Sequence, residues 1–194
     1  MISRLGNRRV PGMTGAILGA LLLAACSDDA GEEAASEPSA ETLAAIVSGA
    51  DDLSVVSATL EDAGLAQVFD GVAAYTLLAP RDAAFTSLGE AGETLRSSEQ
   101  RPAMVAVLRD HIVPGYLTPA DIANAIEADD DGKVAMRTMG GHTLTFASDE
   151  GTVTATGEDG ATVRFAGEAL LASNGVAIPV DGLAVDVGGD DEAQ

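Results

Sequence analysis

Tryptophan is absent from this chain, aromatic residues make up only 3% of it, and there is a single cysteine, Cys26. The lack of aromatics leaves no stacking platform for bases or sugars, so the core has to come from Ala, Val, Leu and Ile. One thiol closes no internal disulfide and builds no thiolate metal site, so the fold must rest on its core alone. Positive charge is scarce as well. Ten basic residues stand against 31 acidic ones, giving a formal charge of −21. That surface has none of the basic footprint that phosphate binding needs, which argues against nucleic acid and bare anionic lipid as partners. Cationic, neutral or divalent-bridged partners fit better. Recognisable catalytic signatures are also missing: neither histidine, His111 or His142, stands in an H-E-x-x-H arrangement, and there is no G-x-S-x-G elbow, P-loop or dinucleotide fingerprint. The expectation is a protein that is not an enzyme and carries no cofactor; a hydrolase assembled from distant segments is the less favoured alternative.

Cys26 gains meaning from what precedes it. Arg4, Arg8 and Arg9 occur among the first twelve residues with no acid, and an apolar run over residues 16–23 follows, the order of an export signal. The run is too short to span a bilayer, which takes about 20 apolar residues. Leu23-Ala24-Ala25-Cys26 resembles the lipobox of bacterial lipoproteins, in which cleavage falls before the cysteine and the cysteine carries the lipid. Residues 1–25 are thus expected to be a signal peptide and Cys26 a lipidation site that joins the protein to a membrane. Cleavage would remove three arginines and no acid, taking the charge to −24. Ser27 in the following position favours an outer membrane where the cell has one. Residues 26–39, acidic and small, read as a disordered tether, and residues 188–194 as an acidic tail.

The residues between, 40–187, suffice for one domain with a self-sufficient core. Their first half reads mostly helical. A short helix over 42–48 is followed by one carrying Leu53, Val56 and Leu60, with Asp51 and Asp52 as capping candidates. Residues 74–79 read as a buried strand and 82–88 as a short helix. Residues 101–112 form the clearest helix, with Met104, Leu108, His111 and Ile112 on one face. Thr118-Pro119-Ala120-Asp121 starts another, since threonine can cap, proline suits the first turn and Asp121 can close a capping box. From Lys133 the apolar period becomes two, punctuated by Gly140-Gly141, Glu150-Gly151, Asp159-Gly160 and Asn174-Gly175. The class is α+β, with a mostly antiparallel sheet system and helices packed to one side.

Three segments in order resemble the fasciclin (FAS1) domain. Residues 75–85, with Ala79-Pro80-Arg81-Asp82-Ala83-Ala84-Phe85, are similar to its first signature. Leu108-Arg109-Asp110-His111-Ile112-Val113-Pro114-Gly115 looks like its Tyr-His region, and Ser173-Asn174-Gly175-Val176 like its closing signature. Asp110 stands where many members have tyrosine, and Pro179 is a second departure. The resemblance implies a FAS1-like β-wedge or sandwich over residues 40–187. It also implies an adhesion or binding role at a cell surface, with a protein or polysaccharide partner. A structural or accessory envelope lipoprotein is the alternative.

The motif residues Pro80, Asp82, Phe85, His111, Pro114, Gly115, Asn174 and Gly175 are expected to be mainly structural. Asp82 would cap the helix it opens, Phe85 would bury its ring, and Asn174-Gly175 would form a type I′ turn. His111 follows Met104 by seven residues and Leu108 by three, hence a neutral core histidine with hydrogen-bond partners. His142, just after a glycine pair, is expected to be exposed. Residues 127–132 have acids at alternate positions before Gly132, but Thr138 occupies the twelfth place where a calcium loop needs glutamate, so a solvated loop is expected and no metal site.

Overall fold

The computed structural model describes residues 38–187. The expected signal peptide, Cys26, the expected acidic tail and nearly all of the expected tether therefore lie outside the described residues. The elements run in the order α1 (Leu43–Ser48), α2 (Ser54–Asp62), α3 (Ala66–Phe69), β1 (Tyr75–Pro80), α4 (Asp82–Ser87), α5 (Glu90–Leu95), α6 (Arg101–Asp110) and β2 (Ile112–Pro114). They continue with α7 (Pro119–Ala128), β3 (Lys133–Arg137), β4 (Thr143–Asp149), β5 (Thr152–Thr156), β6 (Thr162–Arg164), β7 (Leu170–Ala172) and β8 (Gly175–Val180).

Among the described residues eight strands make two sheets, ordered β2-β1-β8-β7 and β3-β4-β5-β6. Every pairing is antiparallel except β1 with β8, which run parallel from Tyr75↔Gly175 to Pro80↔Val180. A parallel central pair must be covered on both faces, and both strands are accordingly apolar and almost wholly buried. Their side chains alternate between two cores. Leu77 and Ala177 face one that α1 to α6 fill with Leu43, Val56, Phe69, Phe85 and Leu108. Leu78, Val176 and Ile178 face the other, where Leu144, Phe146 and Val163 of the second sheet meet Ile122 and Ile126 of α7. Pro179 fits within β8 because the pairing with β7 ends at Ala177, and the segment that follows along that edge meets its carbonyl, which accepts from the Ala166 amide, instead of its missing N–H.

Local signals give several elements directly. Thr118 and Asp121 form the capping box of α7, with Pro119 in its first turn. Glu150 and Gly151 both have positive φ, 50° and 83°, and join Asp149 to Thr152 in a two-residue hairpin. Two expectations need correction. The helix predicted over 101–112 stops at Asp110, and Ile112 pairs with Leu77 in the first sheet, because a buried ladder outweighs weak local helical preference. Asp51 and Asp52 do not cap α2. Its N-cap position is Leu53, which has no side-chain acceptor, while Asp52 pairs with Arg81 at 2.7 Å.

Candidate functional site

The motif residues tie distant segments together. Asp82 was expected to cap its own helix, but Arg81 holds the cap position of α4 and Asp82 is already helical. Its carboxylate instead accepts from the Ser54 amide at 3.2 Å, the Ser54 hydroxyl at 2.6 Å and the Val55 amide at 2.9 Å, so it caps α2. Burial would raise its pKa, yet these bonds from Ser54 and Val55 outweigh burial and hold it below the ordinary 3.8. One carboxylate thereby locks the order of two helices. Phe85, fully buried in α4, packs in the helical core.

Asn174 does comparable work at the other end. Its Oδ1 accepts from the Leu43 amide at 2.8 Å, at the start of α1, and its Nδ2 donates to the carbonyls of Phe69, the last residue of α3, and of Gly71 just past it. The type I′ turn expected here does not form. The β7–β8 turn is Ser173-Asn174, and Gly175 opens β8 without positive φ. Its lack of a side chain serves closeness instead: a Cβ there would lie 2.4 Å from the Tyr75 carbonyl oxygen and 2.9 Å from Leu43. Pro80 and Pro114 end β1 and β2, and Gly115, at φ 115°, donates to the Ala74 carbonyl.

His111 is wholly buried directly after α6. The Ala184 amide can only donate, so Nε2, 2.8 Å away, must be the acceptor, and Nδ1–H donates to the Val107 carbonyl at 2.8 Å. This fixes the neutral Nδ1–H tautomer. Burial pushes its pKa below 6.5, against the smaller opposing effects of Val107 and Asp110.

Asp110, one residue earlier, faces the opposite way. Its Oδ1 accepts from His142 Nδ1 at 2.8 Å and from the Thr138 hydroxyl at 3.0 Å. The carboxylate also lies against Gly140, where a Cβ would come within 1.9 Å of Oδ1. The turn between β3 and β4 is thereby docked on the C-terminus of α6, helped by the Gly140 amide donating to the Arg109 carbonyl at 3.0 Å. His142 is exposed, as its place after the glycines suggested, but the buried partner was missed. The hydrogen bond and charge of Asp110, with Glu158 and Asp159 nearby, raise its pKa above 6.5. The only sequence signal was the acid standing in place of the tyrosine usual in the resembled motif. Beside this pair lies a cavity of about 450 Å³ lined by Val107, Leu144, Val185, Glu158, Asp159 and Asp186 among others.

The acidic loop at residues 127–132 spends Asp129 on its own turn, where Oδ1 accepts from the Asp131 amide at 3.0 Å. Among the described residues no group of three or more His, Cys, Asp or Glu is placed to hold a metal ion, and no helix is long and apolar enough to cross a membrane.

Residues 51–185 match the model of the fasciclin domain. The chain belongs to the fasciclin family. This fasciclin domain is similar to the protein sll1483 of Synechocystis sp., at 31% identity over 121 residues, covering 61% of this chain and 62% of that protein. The chain thus spans less than two thirds of that relative. Its fold matches a solved pair of FAS1 domains from the insect cell adhesion molecule Fasciclin I, with a TM-score of 0.64 and 13% identity over 75% of this chain and 51% of that one. Fasciclin domains are typically adhesion or binding modules without catalysis, and are usually extracellular or exported.

Proposed function

We propose that this protein is an exported binding or adhesion module of the bacterial cell envelope, anchored by lipid on Cys26 and acting without catalysis. The observation that carries the reading is the family match over residues 51–185, downstream of a lipobox-like Leu23-Ala24-Ala25-Cys26. The internal use of the motif residues supports it. His111, Asp82 and Asn174 have their hydrogen-bonding atoms engaged with backbone inside the domain, which gives them scaffold roles and leaves the outer faces for contact. Adhesion by Fasciclin I, which shares the fold, points in the same direction.

Two measurements test the two halves of the reading. Growth of a bacterial host with labelled palmitate should mark the wild-type chain and leave Cys26→Ser unlabelled; a label that survives the substitution overturns the anchor. The soluble domain, immobilised and folded, should retain a component of cell-surface extract at micromolar concentration. If it retains nothing, the binding role fails.

A further inference from the structure

The groove beside His142 has the composition of a receptor for an aliphatic cation. Its floor is apolar, made by Val107, Leu144 and Val185, and its rim carries the carboxylates of Glu158, Asp159 and Asp186. None of the seven basic residues of residues 38–187 lines it, and the only base present, His142, already binds Asp110. The C-terminal turn of α6 forms one wall, so its partial negative charge adds to that of the acids. A second cavity of about 450 Å³ shares Asp159, Val185 and Asp186 with the first, which extends the groove past the Asp159–Asp186 contact.

We propose that this groove accepts lysine side chains presented by a partner protein, an inference that rests on the binding-module reading. Lysine suits both surfaces at once: its four-carbon stem covers the apolar floor while its ammonium reaches the rim. A coordinated metal fits less well. The Thr143 amide already occupies one oxygen of Glu158, and the amides of Ala161 and Asp186 occupy both oxygens of Asp159, so few lone pairs converge. An ammonium asks for no such convergence, and its attraction to the rim gains from the long-range field of a chain with 31 acids.

The test uses a blocked Ala-Lys-Ala-Lys-Ala peptide titrated into the isotope-labelled chain and followed by amide shifts. The expected shifts cluster at Thr143, Leu144, Glu158 and Val185. Glu158→Gln with Asp159→Asn should weaken binding about tenfold, roughly 1.4 kcal/mol. Asp130→Asn with Asp131→Asn, the same charge change in the loop after α7, should alter it less than about twofold at equal ionic strength. Equal weakening by both pairs, or shifts spread over the whole surface, would mean a general field and overturn the inference. Spermidine binding as tightly as the peptide would overturn the assignment to a protein partner. Should the groove variants unfold, the shift map of the wild-type chain decides alone. A domain that retains a surface component yet ignores the peptide loses this inference and keeps the binding role; one that binds the peptide and retains nothing from extract loses the role.

Discussion

Asp110 and His111 are consecutive, yet they serve opposite regions. His111 points inward to a dry seam where the Val107 carbonyl and the Ala184 amide have no solvent to replace it. Asp110 points to the rim, where Thr138 and the exposed His142 hold the β3–β4 turn against α6. Both regions use one imidazole between two segments, with opposite outcomes: burial drives His111 towards the neutral form, and the Asp110 carboxylate drives the exposed His142 towards the charged one. Enclosure decides the charge of the inner histidine, and a contacting carboxylate that of the outer one.

The sharpest way to probe that contrast is His111→Leu, which fills similar space and removes both hydrogen bonds. Two buried backbone groups are then left without partners, at about 1 to 3 kcal/mol each. Chemical denaturation should show a loss of about 2 to 5 kcal/mol, with His142→Leu far milder in the same assay. If the two variants were equally destabilised, the inner seam would hold no special place. Asn174→Ala comes next. It deletes three bonds, from Leu43 and to Phe69 and Gly71, of which only part is solvent-shielded, so about 2 to 3 kcal/mol is expected. Thermal unfolding of the variant checks it, and an unchanged midpoint would place the junction of α1 and α3 elsewhere.

What could be read from sequence divides along the same line. The capping box at Thr118 and Asp121 and the Glu150-Gly151 turn were legible because their partners lie within a few residues. The burial of His111 was legible because helical spacing carries on through the end of α6. Asp82 capping α2, 28 residues back, left no local mark, and neither did Asn174 reaching Leu43 across 131 residues. The parallel pairing of β1 with β8 brings together strands about a hundred residues apart, and no turn chemistry announces it. Asp110 with His142 belongs to the same class: a pair 32 residues apart, in which each member alone suggests only a helix end and an exposed loop.

The smallest effect is the most discriminating, because its sign differs between the two regions. His142 has a folded-state pKa above 6.5, so its contribution is complete below pH 6.5 and disappears as pH rises through the folded value. His111 has a folded-state pKa below 6.5, so its contribution is complete above pH 6.5 and is lost as pH falls and the unfolded chain takes up a proton. Over the range from about pH 5 to 8, where histidine dominates titration, the two slopes oppose each other. His142→Gln should flatten the alkaline side of the stability profile and leave the acid side intact. Imidazole resonances followed by NMR should show His142 titrating above 6.5 in the folded chain, and His111 silent until the fold is lost. A His142 resonance titrating at or below 6.5 would dissolve its bond to Asp110, and with it the claim that two histidines beside one helix end titrate in opposite senses.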